Sequence, residues 1–228
     1  MKRFISLFLA MLMLFSLTAG AYADDGDSLE MTEYTIPESG VAVSLPADMY
    51  VITRDSIDGD ASLEALGLTA DFIISYFESI GIYFDAFDGT VEHEIVVSCA
   101  ESELESSDYI TSLTLRASTA AFETQYESMG YTVTSTELYK NDNYTFIKLN
   151  VEYGSDDATD NLIQYIVISN YTSVVIAYHC YSGDITEEDE ALALAIADSI
   201  SFSDPTEEVE AETAADAKTK ASGSGIIG

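Results

Sequence analysis

The stretch "NLIQYIVISNYTSVVIAYHCYSGD" (residues 161–184) contains two apolar runs separated by an asparagine. Both runs are rich in β-branched and aromatic residues, which pack well on a pleated sheet. Asn170 lies between them, and asparagine tolerates the left-handed backbone of a tight turn. The stretch therefore predicts two antiparallel strands, over 162–170 and 173–182.

The segments on either side of this hairpin extend the pattern. Pro46, the turn Asp88-Gly89 and the run Asn141-Asp142-Asn143 separate further strand candidates, whereas helical periodicity recurs three times. This order predicts an α+β fold, with a central mostly antiparallel β-sheet flanked by about three helices. The predicted helices cover 68–81, about 110–129 and 187–199, and the other strands cover 40–46, 49–54, two segments within 82–100, 131–139 and 143–153.

The ends of the chain differ in composition from its middle. Residues 1–23 have a basic start, a short apolar run and the small-residue pattern "AYA", which predicts a signal peptide of bacterial style. We expect an acidic leader (24–30), a single α+β domain (31–203) and a disordered acidic, Gly/Ser-rich tail (204–228). The predicted location is secreted, either extracellular or at the cell envelope, with no membrane span after removal of the signal.

The charge of the chain limits the classes of partner that we expect it to bind. The formal net charge is −33, with 41 acidic and 8 basic residues. Nucleic-acid binding relies on basic side chains that neutralise phosphates, so we expect no nucleic acid as a partner. The same charge favours a cation or a basic protein.

Two short stretches are similar to landmarks of the PsbP-like superfamily. "GVAVSLPADMY" (40–50) resembles its entry strand, and "ALALAIADSISF" (191–202) resembles its closing helix. Tyr50 stands where the family often has a tryptophan after the proline. The resemblance implies a central antiparallel sheet flanked by helices over 31–203. It implies no catalytic activity, because most members act by binding proteins.

The two histidines and two cysteines all lie in two strand candidates. His179 and Cys180 are adjacent, so they point to opposite faces of a strand and cannot act as a pair. His93 and Cys99 share a face but lie roughly 20 Å apart along an extended strand. Because zinc-type spacing is also missing, we predict no metal site, no catalytic residue and no cofactor here. Cys99 and Cys180 either form a disulfide between neighbouring strands or are two buried thiols.

Carboxylates are abundant, but no spacing among them identifies a site. Two acidic loops, "DSIDGD" (55–60) and "GSDDATD" (154–160), are weak calcium candidates, because calcium takes several oxygens from flexible loops. The alternative for both is a solvated turn. The residues concerned are Asp55, Asp58, Asp60, Asp156, Asp157 and Asp160.

The function predicted from these observations is a secreted, non-catalytic binding module with an unidentified protein partner. Motifs for serine nucleophiles, zinc proteases and phosphate loops are missing. The alternatives are a carboxylate-dependent extracellular hydrolase and a calcium-responsive module. A group of tyrosines is interpreted either as a binding face or as ordinary strand preference: Tyr139, Tyr144, Tyr153, Tyr165, Tyr171, Tyr178 and Tyr181.

Overall fold

The computed structural model describes residues 30–54, 69–155, 158–181 and 183–203. The predicted signal peptide, nearly all of the leader and the tail lie outside these residues. So does the whole of the first acidic loop, residues 55–60. The fold is built from two antiparallel sheets and three helices within the described part of the chain.

The larger sheet has seven strands in the order β3-β4-β5-β9-β8-β7-β6, and the smaller has three in the order β1-β2-β10. Every strand pair in both sheets is antiparallel. This confirms the predicted α+β class. The strands are β1 (Met31–Ile36), β2 (Val41–Pro46), β3 (Tyr50–Thr53), β4 (Ile82–Phe87), β5 (His93–Glu101), β6 (Thr132–Lys140), β7 (Thr145–Ser155), β8 (Ala158–Ser169), β9 (Thr172–Cys180) and β10 (Ser201–Phe202).

The helices begin and end at residues that the sequence marks. Thr69 caps α1 by accepting a hydrogen bond from the Phe72 amide, and Gly81 ends the helix in the left-handed conformation. Thr186 and Asp189 form a reciprocal capping box at the start of α3. The helices are α1 (Ala70–Ile80), α2 (Ser112–Met129) and α3 (Glu187–Asp198).

The two faces of the large sheet are covered by different elements. Its front face packs against α3 and the small sheet, where Val43, Ile95 and Ile196 are almost fully buried. Its back face packs against α1 and α2 in two separate apolar clusters. Helix α2 has no fully buried residue, so it covers the back face more loosely than α3 covers the front.

Two strand boundaries differ from the sequence prediction. Strand β1 was not predicted, because "MTEYTI" mixes polar and apolar residues as an edge strand does. Strand β8 begins at Ala158 rather than 162, since its polar first residues pair with the end of β7. In addition, none of the described helices has the length and apolar character needed to cross a membrane.

Candidate functional site

The two His/Cys stretches of the sequence meet in neighbouring strands. In the β5–β9 register, His93 lies opposite Cys180, and Glu94 lies opposite His179. Successive side chains of a strand point to opposite faces. One cross-strand pair, His93 and Cys180, therefore faces the front of the sheet, and the other pair faces the back.

The front group is centred on the imidazole of His93. Its Nδ1 lies 2.7 Å from Asp88 Oδ2, and its Nε2 lies 3.4 Å from Asp189 Oδ1. The Tyr178 hydroxyl donates to the same Asp189 oxygen at 2.6 Å. Ligand atoms of His93, Cys180 and Asp189 all lie within 4.8 Å of one another. Nitrogen, sulfur and oxygen donors from three elements thus converge on one point.

Local structure fixes the two carboxylates of this group. Asp88 accepts hydrogen bonds from the amides of Thr90 and Glu92, which holds the β4–β5 turn around it. Val91 in this turn has φ +59°, a left-handed conformation that is strained for a β-branched residue. Asp189 is held by the Thr186 capping box, whose amide donates to Oδ2 at 2.8 Å.

Protonation in the front group follows from these contacts. The hydrogen bond that His93 donates to Asp88 raises the pKa of His93, although burial opposes the charge. Burial also opposes ionisation of both carboxyls. Nevertheless the bond to His93 lowers the pKa of Asp88, and the bonds from Tyr178 and Thr186 lower that of Asp189. The front group is therefore an ionised aspartate pair around a histidine that readily takes a proton.

The back group contains three buried carboxyls. Asp85, Glu94 and Asp160 are 2 %, 1 % and 7 % exposed. His179 Nδ1 lies 2.9 Å from Asp160 Oδ1, and the Tyr131 hydroxyl donates to Asp160 Oδ2 at 2.6 Å.

Glu94 connects this histidine–aspartate pair to Asp85. It accepts a short hydrogen bond from the Tyr181 hydroxyl. The Asp85 and Glu94 carboxyls interact with each other, yet Asp85 Oδ1 and Glu94 Oε1 have no hydrogen-bond donor. Ionisation of both carboxyls is unfavourable in this position, because two ionised carboxylates repel each other.

Burial sets the protonation of the back group. It raises the pKa of Asp85 well above the ordinary value, and the neighbouring charge of Glu94 raises it further. Burial also raises the pKa of Glu94, although the charge of His179 opposes this. The pKa of His179 is raised by Asp160 against the effect of burial. The back group therefore favours the protonated forms of Asp85, Glu94 and His179 more than the free side chains do.

The strand register also decides the disulfide question. Cys99 pairs with Val174 and Cys180 with His93, at opposite ends of the β5–β9 ladder. Six residue pairs correspond to roughly 20 Å, far beyond disulfide reach. No bridge between the two cysteines is formed, and both are buried. Burial raises the pKa of the Cys99 thiol to about 12.

One of the six calcium candidates lies within the described residues, and the other five lie outside them. Asp160 lies within β8, buried and bonded to His179 and Tyr131, and not in a solvated loop. The other five candidates lie outside the described residues: Asp55, Asp58, Asp60, Asp156 and Asp157.

The tyrosines do not form a single binding face. Tyr165 and Tyr178 are buried in the front core, and Tyr181 belongs to the back group. Among the seven tyrosines singled out in the sequence, only Tyr171 has a largely exposed side chain, at 56 %. It lies at the β8–β9 turn with φ +60°.

Tyr171 belongs to an exposed apolar group at one end of the sheet. We call this group the turn-end patch; it consists of Leu104, Tyr109, Leu113 and Tyr171, with exposures from 45 % to 78 %. Backbone hydrogen bonds join its two halves: Tyr171 donates to Glu105 O at 3.3 Å, and Ser102 donates to Tyr171 O at 2.7 Å. These bonds tie the segment that carries Leu104 to the turn that carries Tyr171.

A cleft of about 350 Å³ adjoins the patch between α2 and the back of the sheet. Leu104 belongs to both, and the deeper walls are largely apolar, with Ile110, Phe122 and Ile166 among them. Tyr126 closes part of the cleft by donating to Gln164 Oε1 at 2.6 Å. The looseness of α2 against the sheet thus leaves apolar surface open beside an exposed apolar patch.

Sequence reasoning missed the front group because it considered spacing only within each strand. Nothing local indicates that His93 and Cys180 are partners, since the register of β5 and β9 brings them together. Asp189 was recognised only as a helix cap. The alternation of side chains along a strand could have identified part of this arrangement, because it correctly places His179 and Cys180 on opposite faces.

Comparison with known proteins supports the fold alone. The solution structure of cyanobacterial PsbP (CyanoP) from Synechocystis sp. PCC 6803 is similar, with a TM-score of 0.52 and 11 % identity. The match covers 80 % of this chain and 98 % of that one. The chain therefore has a PsbP-like fold, which confirms at this level the resemblance seen at 40–50 and 191–202.

Other matches add no further argument. A crystal structure from Bacteroides thetaiotaomicron VPI-5482 aligns with a TM-score of 0.44 and 10 % identity, over 75 % of this chain and 48 % of that one. No family model and no curated protein matches the chain.

Proposed function

We propose that the protein is a secreted, non-catalytic binding module whose turn-end patch binds a protein segment combining basic and apolar side chains. The observation that carries this proposal is the exposure of Leu104, Tyr109, Leu113 and Tyr171, of which Leu104 also lines an open apolar cleft. Soluble proteins rarely leave such groups uncovered without a role in recognition.

Charge complementarity indicates the kind of partner. Glu101, Glu103, Glu105 and Asp108 are exposed around the patch. A cation close to them is Lys140, whose Nζ lies 3.9 Å from Asp108. An apolar surface bordered by carboxylates favours a partner that inserts an apolar side chain and places lysine or arginine at the rim.

The backbone at Tyr171 supports a role in recognition. A left-handed conformation costs an ordinary L-residue roughly 1–2 kcal/mol, and glycine would avoid that cost. The chain instead places a large exposed aromatic residue there, where it contributes little to the core. Strain of this kind is concentrated at binding and catalytic sites.

The back group gives the hydrolase alternative less support. A hydrolytic carboxyl pair must reach a substrate and a water molecule. Asp85 and Glu94 are 2 % and 1 % exposed. The burial of both carboxyls favours a structural role for this pair.

A peptide library displayed on phage tests the proposal. Selection on the purified protein is expected to enrich peptides that join lysine or arginine to leucine or an aromatic residue. Binding should be lost with Tyr171→Gly combined with Leu113→Ser. Glycine relieves the strained turn, so this variant should remain folded while it loses the patch.

Phe72→Ala is the matched control, because Phe72 is an exposed aromatic residue of α1, outside the patch. It should bind the selected peptides as well as the unmodified protein does. Failure to enrich any peptide above the level of the double variant would refute the proposal. Enrichment of acidic peptides would refute the charge argument.

Export is a separate part of the proposal and rests on the sequence pattern of residues 1–23. In a bacterial host, N-terminal sequencing of protein recovered outside the cytoplasm should begin at Asp24. An intact Met1 on all of the protein, with none outside the cytoplasm, would contradict export without affecting the patch.

A further inference from the structure

We propose that His93 Nε2, Cys180 Sγ and Asp189 Oδ1 form a binding site for a divalent transition metal, with Zn²⁺ the best match. This site is distinct from the turn-end patch and independent of the proposed function. It is built from the end of β9, the start of β5 and the first turn of α3.

The separations of the ligand atoms suit a tetrahedral ion. Zinc bonds of about 2.0–2.1 Å to nitrogen and oxygen place two such ligands about 3.3 Å apart at the tetrahedral angle. The separation of His93 Nε2 from Asp189 Oδ1 is 3.4 Å. Cys180 Sγ lies within 4.8 Å of both atoms. A small rotation of a side chain brings it to the roughly 3.5 Å that a zinc–sulfur bond of about 2.3 Å requires.

The donor set points to a late transition metal. Calcium and magnesium prefer sets made only of oxygen, whereas imidazole and thiolate together favour zinc and its neighbours. Three protein ligands leave a fourth position for water, as in open zinc sites.

The surroundings orient the ligands before any metal arrives. Asp88 binds His93 Nδ1 at 2.7 Å, which leaves Nε2 directed toward the site. This carboxylate–histidine arrangement is the usual support of a metal-bound imidazole. Tyr178 donates to Asp189 Oδ1 at 2.6 Å and holds that carboxylate in place.

Access to the site favours an ion over an organic substrate. Cys180 is 2 % exposed, so its sulfur is out of reach of a substrate carbonyl. A Cys–His nucleophile pair across the two strands is therefore a poor fit. The His93 side chain is 28 % exposed, which leaves a route for a small ion from the solvent side.

Cobalt substitution of the purified protein tests the site. Co²⁺ bound to a thiolate gives an intense near-ultraviolet charge-transfer band, which carboxylates of the acidic surface do not give. We expect this band at one equivalent of Co²⁺ and its loss when Zn²⁺ is added. Equilibrium dialysis with Zn²⁺ should find one site tighter than any surface binding.

The two cysteines provide a matched pair of variants, because both are buried on the front face. Cys180→Ser should abolish the charge-transfer band, and Cys99→Ser should keep it. Asp88→Asn should retain the band but weaken zinc binding by about 10–100-fold, since Asp88 reaches the site through His93. An asparagine Oδ1 can still accept the hydrogen bonds from the Thr90 and Glu92 amides that hold the turn. Melting curves without metal check that each variant is folded.

Three results would overturn the proposal. They are the absence of a thiolate band in the unmodified protein, a band that survives Cys180→Ser, and zinc binding that is unchanged in Asp88→Asn. If Cys180→Ser fails to fold, Asp88→Asn decides, since it removes neither a metal ligand nor a core side chain.

Discussion

The two histidines occupy closely similar local settings on opposite faces of the same two strands. Each binds an aspartate through Nδ1, His93 to Asp88 at 2.7 Å and His179 to Asp160 at 2.9 Å. On the front face, the second ring nitrogen, Nε2 of His93, lies near Asp189 and Cys180, and the His93 side chain is 28 % exposed. On the back face, the His179 side chain is 17 % exposed, interacts with the charge of Glu94 and stacks on Tyr181. The same histidine–aspartate pair thus offers a binding position on one face and a buried counter-charge on the other.

Protonation separates the two faces further. The front aspartates have lowered pKa values, so their contribution to stability is lost as the pH falls through those values. On the back face, the pKa values of Asp85, Glu94 and His179 are all raised. Their contribution is present at low pH and is lost as the pH rises through the folded-state values. Acid therefore weakens the front carboxylates and strengthens the back group.

The largest expected difference between the faces concerns stability. His179→Leu should lower the free energy of unfolding by about 3–5 kcal/mol, because it leaves Glu94 and Asp160 buried without their counter-charge. His93→Leu should cost only about 1 kcal/mol, since His93 and Asp88 are 28 % and 26 % exposed. Urea unfolding at neutral pH measures both. Equal losses would mean that burial does not distinguish the two pairs.

The next effect concerns the dependence of stability on pH. Folded Asp85 retains its proton to a pH above its ordinary pKa near 3.8, whereas the asparagine of the Asp85→Asn variant has no proton to release. The decline in unfolding free energy as the pH rises should therefore be shallower in the variant. The difference is expected to be about 1.4 kcal/mol per pH unit for each proton, within the window between the unfolded and folded pKa values. Urea unfolding between pH 4 and pH 8 checks this.

Asp88→Asn provides the control from the front face. Its effect on stability should appear on the acid side, as the pH falls through the lowered pKa of Asp88. If both variants changed the same limb of the pH profile, the assignment of opposite pKa shifts to Asp88 and Asp85 would be wrong.

The smallest effect is local to each imidazole. Asp88→Asn should lower the pKa of His93, because the lost carboxylate no longer stabilises the charged imidazole. The pKa of His179 should not change, since its partner lies on the other face. Titration followed by NMR of the two imidazole rings measures both in one sample. A matching change at His179 would show that charge on one face acts through the sheet.

The helix limits and the fold class were readable from the sequence because their causes are local. Thr69, Gly81 and Thr186 cap or end helices through contacts within a few residues. Alternation along β5 and β9 assigns each side chain to a face, and composition alone sets the charge of −33.

The groups on those faces were decided by tertiary structure. Whether His93 meets Cys180 or another residue depends on the register of two strands about 80 residues apart, and a shift of one residue would exchange the faces. Asp189 joins them only because α3 packs on the front of the sheet. Likewise the sequence indicates that Asp160 belongs to an acidic loop, whereas in the structure β8 pairs with β7 and Asp160 is buried. Chemistry that depends on contacts between distant segments is specified by packing of the whole core, for which the local sequence carries no separate signal.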